Sequence, residues 1–362
     1  MALTRDIVYW LIGIGLVVVV GDAVLRTFVL PRGSVVRLTR VVSVVIRMGF
    51  DGALHFARTY RTRDRVMAMY APIVLLGLVV TWIAMLLVAF AFMFAAVEGA
   101  GWREAFTASG SSLFTLGFLR PPDGVGIALT FIAAVAGLGI IALLIAYLPT
   151  IYGAFSQREK LVAYFGARAG TPPRAVELLQ RAHLIDRLGD LDDLWEKYQL
   201  WFAEIEETHT SLPLLNFFRS PEPDRSWITT AGAVLDAAAL LNSTVDAGWH
   251  PMAGLCVRSG FTALRSIGDF FRIPYPPDPQ PGDPISITRE EWEQACTELE
   301  SVGVPLRADR EQAWRDFVGW RVNYDAVLVT LAGLLFAPYA PWSSDRSIRY
   351  RVSVLGPRRS RN

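Results

Sequence analysis

Few side chains in this 362-residue chain have the type and spacing that catalysis or metal binding requires. The two cysteines, Cys256 and Cys296, are too few for a disulfide framework or the familiar zinc patterns. Asp190, Asp192 and Asp193 form an acidic cluster, but such a run is more typical of a solvated helix face than of a metal site. The histidines offer no metal pair at helical spacing: His55, His183, His209 and His250. Since no nucleotide-binding or hydrolase motif occurs in its required context, the sequence predicts neither an enzyme nor a bound cofactor or resident metal.

The composition indicates a membrane protein with a large non-membrane portion. Hydrophobic residues make up 52% of the chain and the mean hydropathy is +0.34, but the excess is concentrated in three runs. The net charge is +1, so no overall basic field favours nucleic acid as a partner. These features exclude a disordered chain, a purely soluble enzyme and a transporter bundle embedded along its whole length.

Each apolar run is long enough to cross a bilayer, which takes about 20 helical residues. The runs cover residues 7–30, 71–98 and 125–150. Asp22 and Arg26 interrupt the first run four residues apart, a spacing that allows them to pair on one helical face. A signal peptide is the alternative, but the run exceeds about 15 residues and no small-residue cleavage site follows. Residues 1–30 are therefore predicted to form an N-terminal transmembrane helix.

The distribution of arginine predicts how the three helices are oriented. Residues 31–70 contain eight arginines, whereas residues 99–124 contain only Arg103 and Arg120. Basic loops remain in the cytoplasm, so residues 31–70 are expected to be a cytoplasmic linker. The N-terminus and residues 99–124 then lie outside, and everything after the third run is cytoplasmic. The chain is predicted to be a multi-pass protein of the cell membrane.

Residues 34–58 combine many apolar residues with Arg37, Arg40 and Arg47 at helical spacing. Each arginine at mid-membrane would cost about 2.5–3.5 kcal/mol, which disfavours a fourth spanning helix. A helix in the cytoplasmic interface accommodates both the apolar residues and the basic stripe. A voltage-sensor helix is the weaker alternative, because the three-residue spacing of the arginines is not sustained.

The segment between the second and third runs is too short for a domain and too apolar for an exposed loop. It reads WREAFTASGSSLFTLGFLRPPD over residues 102–123. Residues 102–114 are expected to form three helical turns, with Glu104 in the first turn, where the helix dipole favours an acid. An extended stretch follows, and a Pro-Pro-Asp-Gly turn then leads into the third run. Such a segment predicts a re-entrant loop, which is tolerated at membrane depth where it lines a wet cavity or is buried in protein.

Within this loop, Ser112, Thr115, Gly117 and Phe118 form the pattern S-x-x-T-x-G-F. Residues 71–155 resemble the pore module of potassium channels of the two-transmembrane type, in which a helix, a short pore helix, a T-x-x-T-x-G-[YF]-G filter and a second helix follow one another. The resemblance implies that backbone carbonyls of Thr115, Leu116, Gly117 and Phe118 replace the water around a cation. Ser112 would support the pore helix. A single loop cannot enclose a conduit, so the resemblance also implies a homotetramer that conducts monovalent cations, K⁺ above all.

The sequence departs from this pattern at the outer mouth of the expected filter. Leu119 stands at the position of the family's second glycine, and Arg120 at that of the usual acid. Since a leucine in the left-handed region costs about 1–2 kcal/mol, a reshaped mouth with fewer carbonyl sites is expected. Four copies of Arg120 would repel incoming cations unless Asp123 or Glu98 neutralises them. The alternative function is a membrane-anchored sensory or interaction protein with a degenerate, non-conducting loop.

Three residues of the third run are candidates for a gating hinge. Gly137 and Gly139 lie in its middle, where they serve either as a hinge or for close helix packing. Pro149, near the inner end, removes a helix hydrogen bond, so it either kinks the helix or ends it.

The remaining chain is predicted to be a cytoplasmic α-helical domain with an unidentified regulator. Residues 71–154 are assigned to the pore module, which includes the pore loop 102–120. After this module, we expect a helical domain over residues 155–272, a proline-rich connector over residues 273–287 and a helical region with a basic tail over residues 288–362. Helical periodicity runs through 174–207, with a break expected near Gly189, and through 308–335. Thr288 and Glu291 predict a capping box that begins a helix. No strand-like alternation is evident, so the whole protein is expected to be an all-α membrane protein.

Overall fold

The computed structural model describes residues 2–28, 37–56, 59–98 and 101–348. Apart from one isolated bridge between Val245 and Leu306, these ranges contain α-helices, short 3₁₀ turns and connecting segments, which confirms the all-α class. The helices are α1 (Ala2–Phe28), α2 (Arg37–Phe56), α3 (Tyr60–Ala68), α4 (Tyr70–Glu98), α5 (Trp102–Leu113), α6 (Gly124–Ala169), α7 (Ala175–Leu184), α8 (Asp192–Ser211), α9 (Trp227–Ser243), α10 (Pro251–Phe271), α11 (Arg289–Glu300), α12 (Arg310–Arg321) and α13 (Asp325–Leu334).

Three stretches of the described residues are long and apolar enough to cross a membrane. They are Leu3–Phe28, Tyr60–Val97 and Gly124–Ala169. Two of them extend well beyond the apolar runs, because α3 precedes α4 and because α6 continues to Ala169. Residues 29 and 30, the predicted end of the first run, lie outside the described residues. The prediction of three helices of membrane-spanning length is thus confirmed.

The chain divides into two compact units. The first unit takes its described residues from 1–54 and 69–153, and the second takes them from 55–68 and 154–362. Helix α6 contributes to both units, and α3 belongs to the second although α4, which begins two residues later, belongs to the first. The predicted linker of residues 31–70 therefore supplies residues to both units.

In the first unit, α1 and α5 both pack against α4. Gly13 allows α1 to approach closely, because a Cβ there would lie 2.8 Å from the carbonyl oxygen of Ala89. At one end, the ring of Tyr9 contacts those of Phe92 and Trp102, with centroids 5.4 Å apart in each case. Small residues and aromatic rings thus bring three helices together, as expected for helices without a hydrophobic driving force from water.

Helix α2 has the two-faced character that its sequence predicts. One face of α2 packs against α4. The side chain of Ile46 lies so close to Gly77 of α4 that a Cβ would not fit there. The hydroxyl of Tyr70, also on α4, donates to the carbonyl oxygen of Ser43 at 3.3 Å. Val41, Val45 and Met48 recur on another stripe and are exposed. Arg47 pairs with Asp51 at 3.3 Å on the same helix. Residues 34–36 and 57–58 of the predicted interfacial stretch lie outside the described residues.

The second unit is built around α9, whose seventeen residues are all buried. Helices α7, α10, α12 and α13 pack against it, so that tryptophan and other large side chains fill the interior. Arg321 is fully buried among Asp236 on α9, Asp325 on α13 and the carbonyl oxygen of Trp342. The hydroxyl of Tyr324 also donates to Asp236, at 2.8 Å. A buried charge requires such partners, so this network fixes how the helices meet.

The helix boundaries in this unit partly follow the sequence. The capping box forms as predicted, with the Glu291 amide donating to the Thr288 hydroxyl at 3.3 Å and the Thr288 amide donating to the Glu291 carboxylate at 2.8 Å. The break expected near Gly189 is longer, since α7 ends at Leu184 and α8 begins at Asp192. The expected helix over 308–335 is interrupted between Arg321 and Asp325, where the buried ion pairs lie. The basic tail after residue 348 lies outside the described residues.

Candidate functional site

The expected pore helix is α5, and its start and its packing follow from its sequence. The amide of Gly101 donates to the carboxylate of Glu104 at 3.3 Å, which satisfies a free donor at the helix start. Ala105 and Ala108 are buried, and the hydroxyl of Ser109 donates to the carbonyl oxygen of Leu87 on α4 at 2.7 Å. Because these side chains are small, α5 lies close along α4 and holds the following loop in a defined position.

The chain reverses direction immediately after α5. The amide of Thr115 donates to the carbonyl oxygen of Ser112 at 3.0 Å, and the amides of Leu116 and Gly117 donate to the carbonyl oxygen of Ser111 at 2.8 and 3.4 Å. The hydroxyl of Ser111 also accepts from the amide of Leu119, at 3.3 Å. Ser111 therefore anchors the whole loop, a role that sequence reasoning missed because a buried serine carries no recognisable signal.

Two residues of the loop are in the left-handed region of backbone conformation. The φ angle is 70° at Gly117 and 55° at Thr115, whereas Leu116 between them is not at positive φ. Glycine adopts this region without strain, whereas Thr115 has a Cβ and is held there as the left-handed cap that ends α5. The amides of Leu116 and Gly117 converge on the carbonyl oxygen of Ser111, and the carbonyl oxygens of residues 115–118 accept no hydrogen bond from the described residues.

The side chains around the loop divide into buried and exposed sets. Ser112 is buried, and its hydroxyl donates to the carbonyl oxygen of Ala108 at 2.8 Å and to Thr130 on α6 at 3.4 Å. Phe114, Leu116 and Phe118 are exposed, although all three are apolar. Within one chain, the predicted filter residues therefore lie together on a surface that nothing in the described part of the chain covers.

The predicted outer mouth differs from a continued filter. Leu119 is not in the left-handed region that the family's second glycine would adopt. Arg120 is exposed, and the carboxylate of Asp123 accepts from the amide of Gly126 at 2.6 Å, at the start of α6. That bond commits Asp123 to the helix start, where it offsets the helix dipole. The side chain of Glu98, the other predicted neutralising acid, lies outside the described residues.

The three predicted hinge residues lie on α6 in different surroundings. A Cβ at Gly137 would lie 2.1 Å from the carbonyl oxygen of Leu113, so this glycine permits close contact between α6 and the end of α5. No atom lies within 4 Å of a Cβ at Gly139. Helix α6 continues past Pro149 to Ala169, so of the two alternatives for this proline, a kink or the end of the helix, the second is excluded. Membrane helices tolerate such a proline because neighbouring groups satisfy the freed carbonyl.

The other candidates for chemistry, the acidic cluster and the two cysteines, belong to the second unit. The described residues contain no group of three or more histidine, cysteine or acidic side chains that could hold a metal ion. Asp190 pairs with Arg187 at 2.8 Å. Both cysteines are buried, and burial raises the pKa of Cys296 to about 12, which disfavours a reactive thiolate.

Comparison of the chain with protein-family models, with curated proteins and with solved structures finds no match.

Proposed function

We propose that the chain is one subunit of a pore-loop cation channel of the two-transmembrane potassium-channel type. In this proposal α4, α5 and the first part of α6 form the pore module, and α5 is a re-entrant pore helix. The carbonyl oxygens of Thr115, Leu116, Gly117 and Phe118 form the filter for K⁺ or another monovalent cation. The function is passive conduction, which requires no catalytic residue and no bound cofactor.

One observation carries this proposal, namely the left-handed backbone at Gly117, with a φ angle of 70°, two residues after the left-handed Thr115 that ends α5. A left-handed threonine costs about 1–2 kcal/mol, so the surrounding structure must hold it there. The two amide bonds to the carbonyl oxygen of Ser111 do so. Thr115 ends α5 in the left-handed cap that also ends α7 at Asp186, α10 at Arg272 and α13 at Phe336. The feature that an ion filter requires is therefore Gly117, which repeats the left-handed conformation two residues beyond the cap.

The exposed side chains of the loop support assembly into a homotetramer. Phe114, Leu116 and Phe118 form an apolar surface beside the filter backbone. A single loop contributes one wall of a conduit, so four copies around a common axis are needed to surround an ion. Contact between copies would cover these side chains, as expected for large exposed apolar groups.

The proposed topology follows from charge and from the exposed face of α2. The arginine-rich residues 31–70 lie in the cytoplasm, with the N-terminus and α5 on the outer side. The Val41, Val45 and Met48 stripe of α2 then contacts the lipid at the inner interface. Residues from 154 onward form an α-helical cytoplasmic domain that regulates opening or assembly.

A second candidate function is a membrane-anchored sensory or interaction protein whose loop does not conduct. The outer mouth favours it, because Leu119 does not continue the left-handed alternation and Arg120 is exposed. An arginine ring at the entry would repel cations by several tenths of a kcal/mol per charge in water.

A flux measurement on purified protein in liposomes separates the two functions. We expect blockable K⁺ uptake by the unaltered protein and a loss of at least tenfold in Gly117→Ala, because alanine disfavours the left-handed region. Gly101→Ala is the matched control, since Gly101 has an ordinary φ of −62° and open space at its Cβ position. Its flux should stay within twofold of the unaltered protein.

The mass of the complex in detergent completes the test. A particle of four chains is expected. A tetramer without flux would favour the non-conducting function, and a stable monomer or dimer would exclude a fourfold filter. Equal flux in Gly117→Ala and the unaltered protein would contradict the assignment of the filter.

A further inference from the structure

In the second unit, one short segment contacts α3 and the polar end of α6 at the same time. The segment consists of the 3₁₀ turn Pro213–Phe217 and residues 218–220, and we call it the clasp. Each of the two helices that it contacts continues, directly or after one residue, into a stretch of membrane-spanning length.

On α6, the contact with the clasp is made by a buried arginine. Arg158 donates through Nη1 to the carbonyl oxygen of Leu215 at 2.9 Å and through Nη2 to that of Phe218 at 2.8 Å. Its side chain also pairs with Glu159 at 2.7 Å, so the buried charge is neutralised. The rings of Phe155 and Phe218 lie 5.9 Å apart and extend the contact. Two carbonyl bonds from one guanidinium fix the clasp at a defined position along α6.

On α3, the contact is an ion pair between Asp64 and Arg219, whose atoms Oδ1 and Nη1 lie 3.4 Å apart. The side chains are only 13% and 12% exposed, so solvent screens this pair less than a surface pair. Nη1 of Arg219 also donates to the carbonyl oxygen of Phe336 at 2.7 Å. Arg219 follows Phe218 directly, so the anchors for α3 and α6 are adjacent residues.

The clasp combines hydrogen bonds within itself with buried polar atoms that have no partner in the described part of the chain. The amide of the Asn216 side chain donates to the carbonyl oxygens of His209 and Pro213 at 2.9 and 3.0 Å. A narrow cavity lies beside the clasp, lined in part by Asn216, Ser220 and Trp227. Oδ1 of Asn216 and Oγ of Ser220 are buried without a hydrogen-bond partner among the described residues. A segment with such unused polar atoms changes position at lower cost than a fully bonded one.

We propose that the clasp couples the position of α3 to that of α6 and so transmits the state of the second unit to both helices. The functional consequence, control of ion flux, rests on the proposed channel function. Because a helix is stiff over tens of residues, a shift at Arg158 moves α6 as a body, and a shift at Asp64 moves α3, which ends two residues before α4 begins. Coupling between two contacts is reciprocal, so a change at either one alters the other.

Hydrogen exchange of the full-length protein tests this coupling without any need for conduction. Arg158→Lys keeps the charge but cannot make both carbonyl bonds, and we expect it to speed amide exchange in α3 at least fivefold. Asp64→Asn is expected to do the same around residues 154–162 of α6. Glu222→Gln is the control, because Glu222 is 58% exposed and lies just beyond the clasp; it should change neither region.

Flux measurements on the same variants test the consequence. If Asp64 and Arg219 act as one unit, Asp64→Asn, Arg219→Gln and the double variant should all change flux by the same factor. The proposed coupling through the clasp would be overturned if amide exchange rose only in the helix that carries the substitution. It would also be overturned if the flux change of the double variant equalled the product of the two single-variant changes. Reciprocal exchange in a protein that shows no flux would support the clasp and overturn the channel function alone.

Discussion

The loop after α5 and the core of the second unit use large apolar side chains in opposite ways. Leu116 and Phe118 are 62% and 64% exposed, whereas Trp195 and Trp292 are completely buried. The core is complete within one chain, whereas the apolar side chains of the loop remain uncovered by the described residues of that chain. The contrast indicates that the second unit buries its apolar side chains through contacts of its own, which the loop does not do.

The hydrogen bonding of polar groups also differs between the second unit and the loop. In the second unit the buried Arg321 has carboxylate partners from two helices. In the loop, the amides of Leu116 and Gly117 bond to Ser111, and the carbonyl oxygens of residues 115–118 accept no hydrogen bond from the described residues. Four substitutions with matched controls separate the two regions, and the largest effect is expected at Arg321.

Replacing Arg321 by methionine should destabilise the second unit by about 3–5 kcal/mol, because Asp236 and Asp325 would remain buried without their cation. Chemical unfolding followed by tryptophan fluorescence measures the loss. Arg315→Met is the control, since Arg315 is 63% exposed and its removal should change stability by less than about 0.5 kcal/mol. Equal midpoints for the two variants would contradict a self-contained core.

Replacing Gly137 by alanine should destabilise the first unit by about 1–3 kcal/mol, because the new Cβ would lie 2.1 Å from the carbonyl oxygen of Leu113. Gly139→Ala is the matched control, with no atom within 4 Å and a gain in helix propensity of about 0.5–1 kcal/mol. Thermal unfolding in detergent measures both. If Gly137→Ala were as stable as Gly139→Ala, α6 would not pack on α5 as described.

The stability of the second unit should fall in mild acid because of His209. This side chain is buried, and burial together with the adjacent Arg158 holds its pKa well below the usual value of 6.5. The unfolded chain therefore binds a proton that the folded chain does not. Stability is complete above about pH 6.5 and decreases below it by up to about 1.4 kcal/mol per pH unit.

His209→Gln removes the imidazole that takes up a proton on unfolding. The free energy of unfolding should therefore depend less on pH between about 5 and 6.5. His55→Gln alters an exposed histidine and should leave the slope unchanged. An unaltered slope in His209→Gln would show that other groups cause the acid sensitivity.

The smallest effect is expected at the start of α11. Thr288→Ala removes the hydroxyl that accepts from the amide of Glu291 and should cost about 1 kcal/mol in unfolding free energy. Thr297→Ala, within the same helix and exposed, is the comparison and should cost less. A larger loss at Thr297 would contradict the importance of the cap.

Much of the architecture was predictable because it depends on short stretches of sequence. Apolar length identified the three long helices, and Glu104 and Thr288 marked the starts of α5 and α11. The left-handed conformation of Gly117 was also predictable, since glycine alone adopts it freely. Each of these features is decided by residues within one or two helical turns.

Other features depended on contacts between residues far apart in sequence. Gly137 on α6 lies against the carbonyl oxygen of Leu113 on α5, and the Pro149 position remains helical within a longer packed helix. The break before α13 coincides with ion pairs that reach Asp236, more than eighty residues away. The pairing of Asp64 with Arg219 spans even more of the chain.

By itself, then, the sequence determined which segments are helical, which are long and apolar enough for a membrane, and where the special glycine of the loop must lie. Only the tertiary structure decided that Arg158 and Asp64 meet one segment, that Arg321 is a buried centre and that Gly137 is a contact point between α5 and α6. The physical reason is that hydropathy and capping act locally, whereas burial of charge and close backbone approach depend on which distant segments come together.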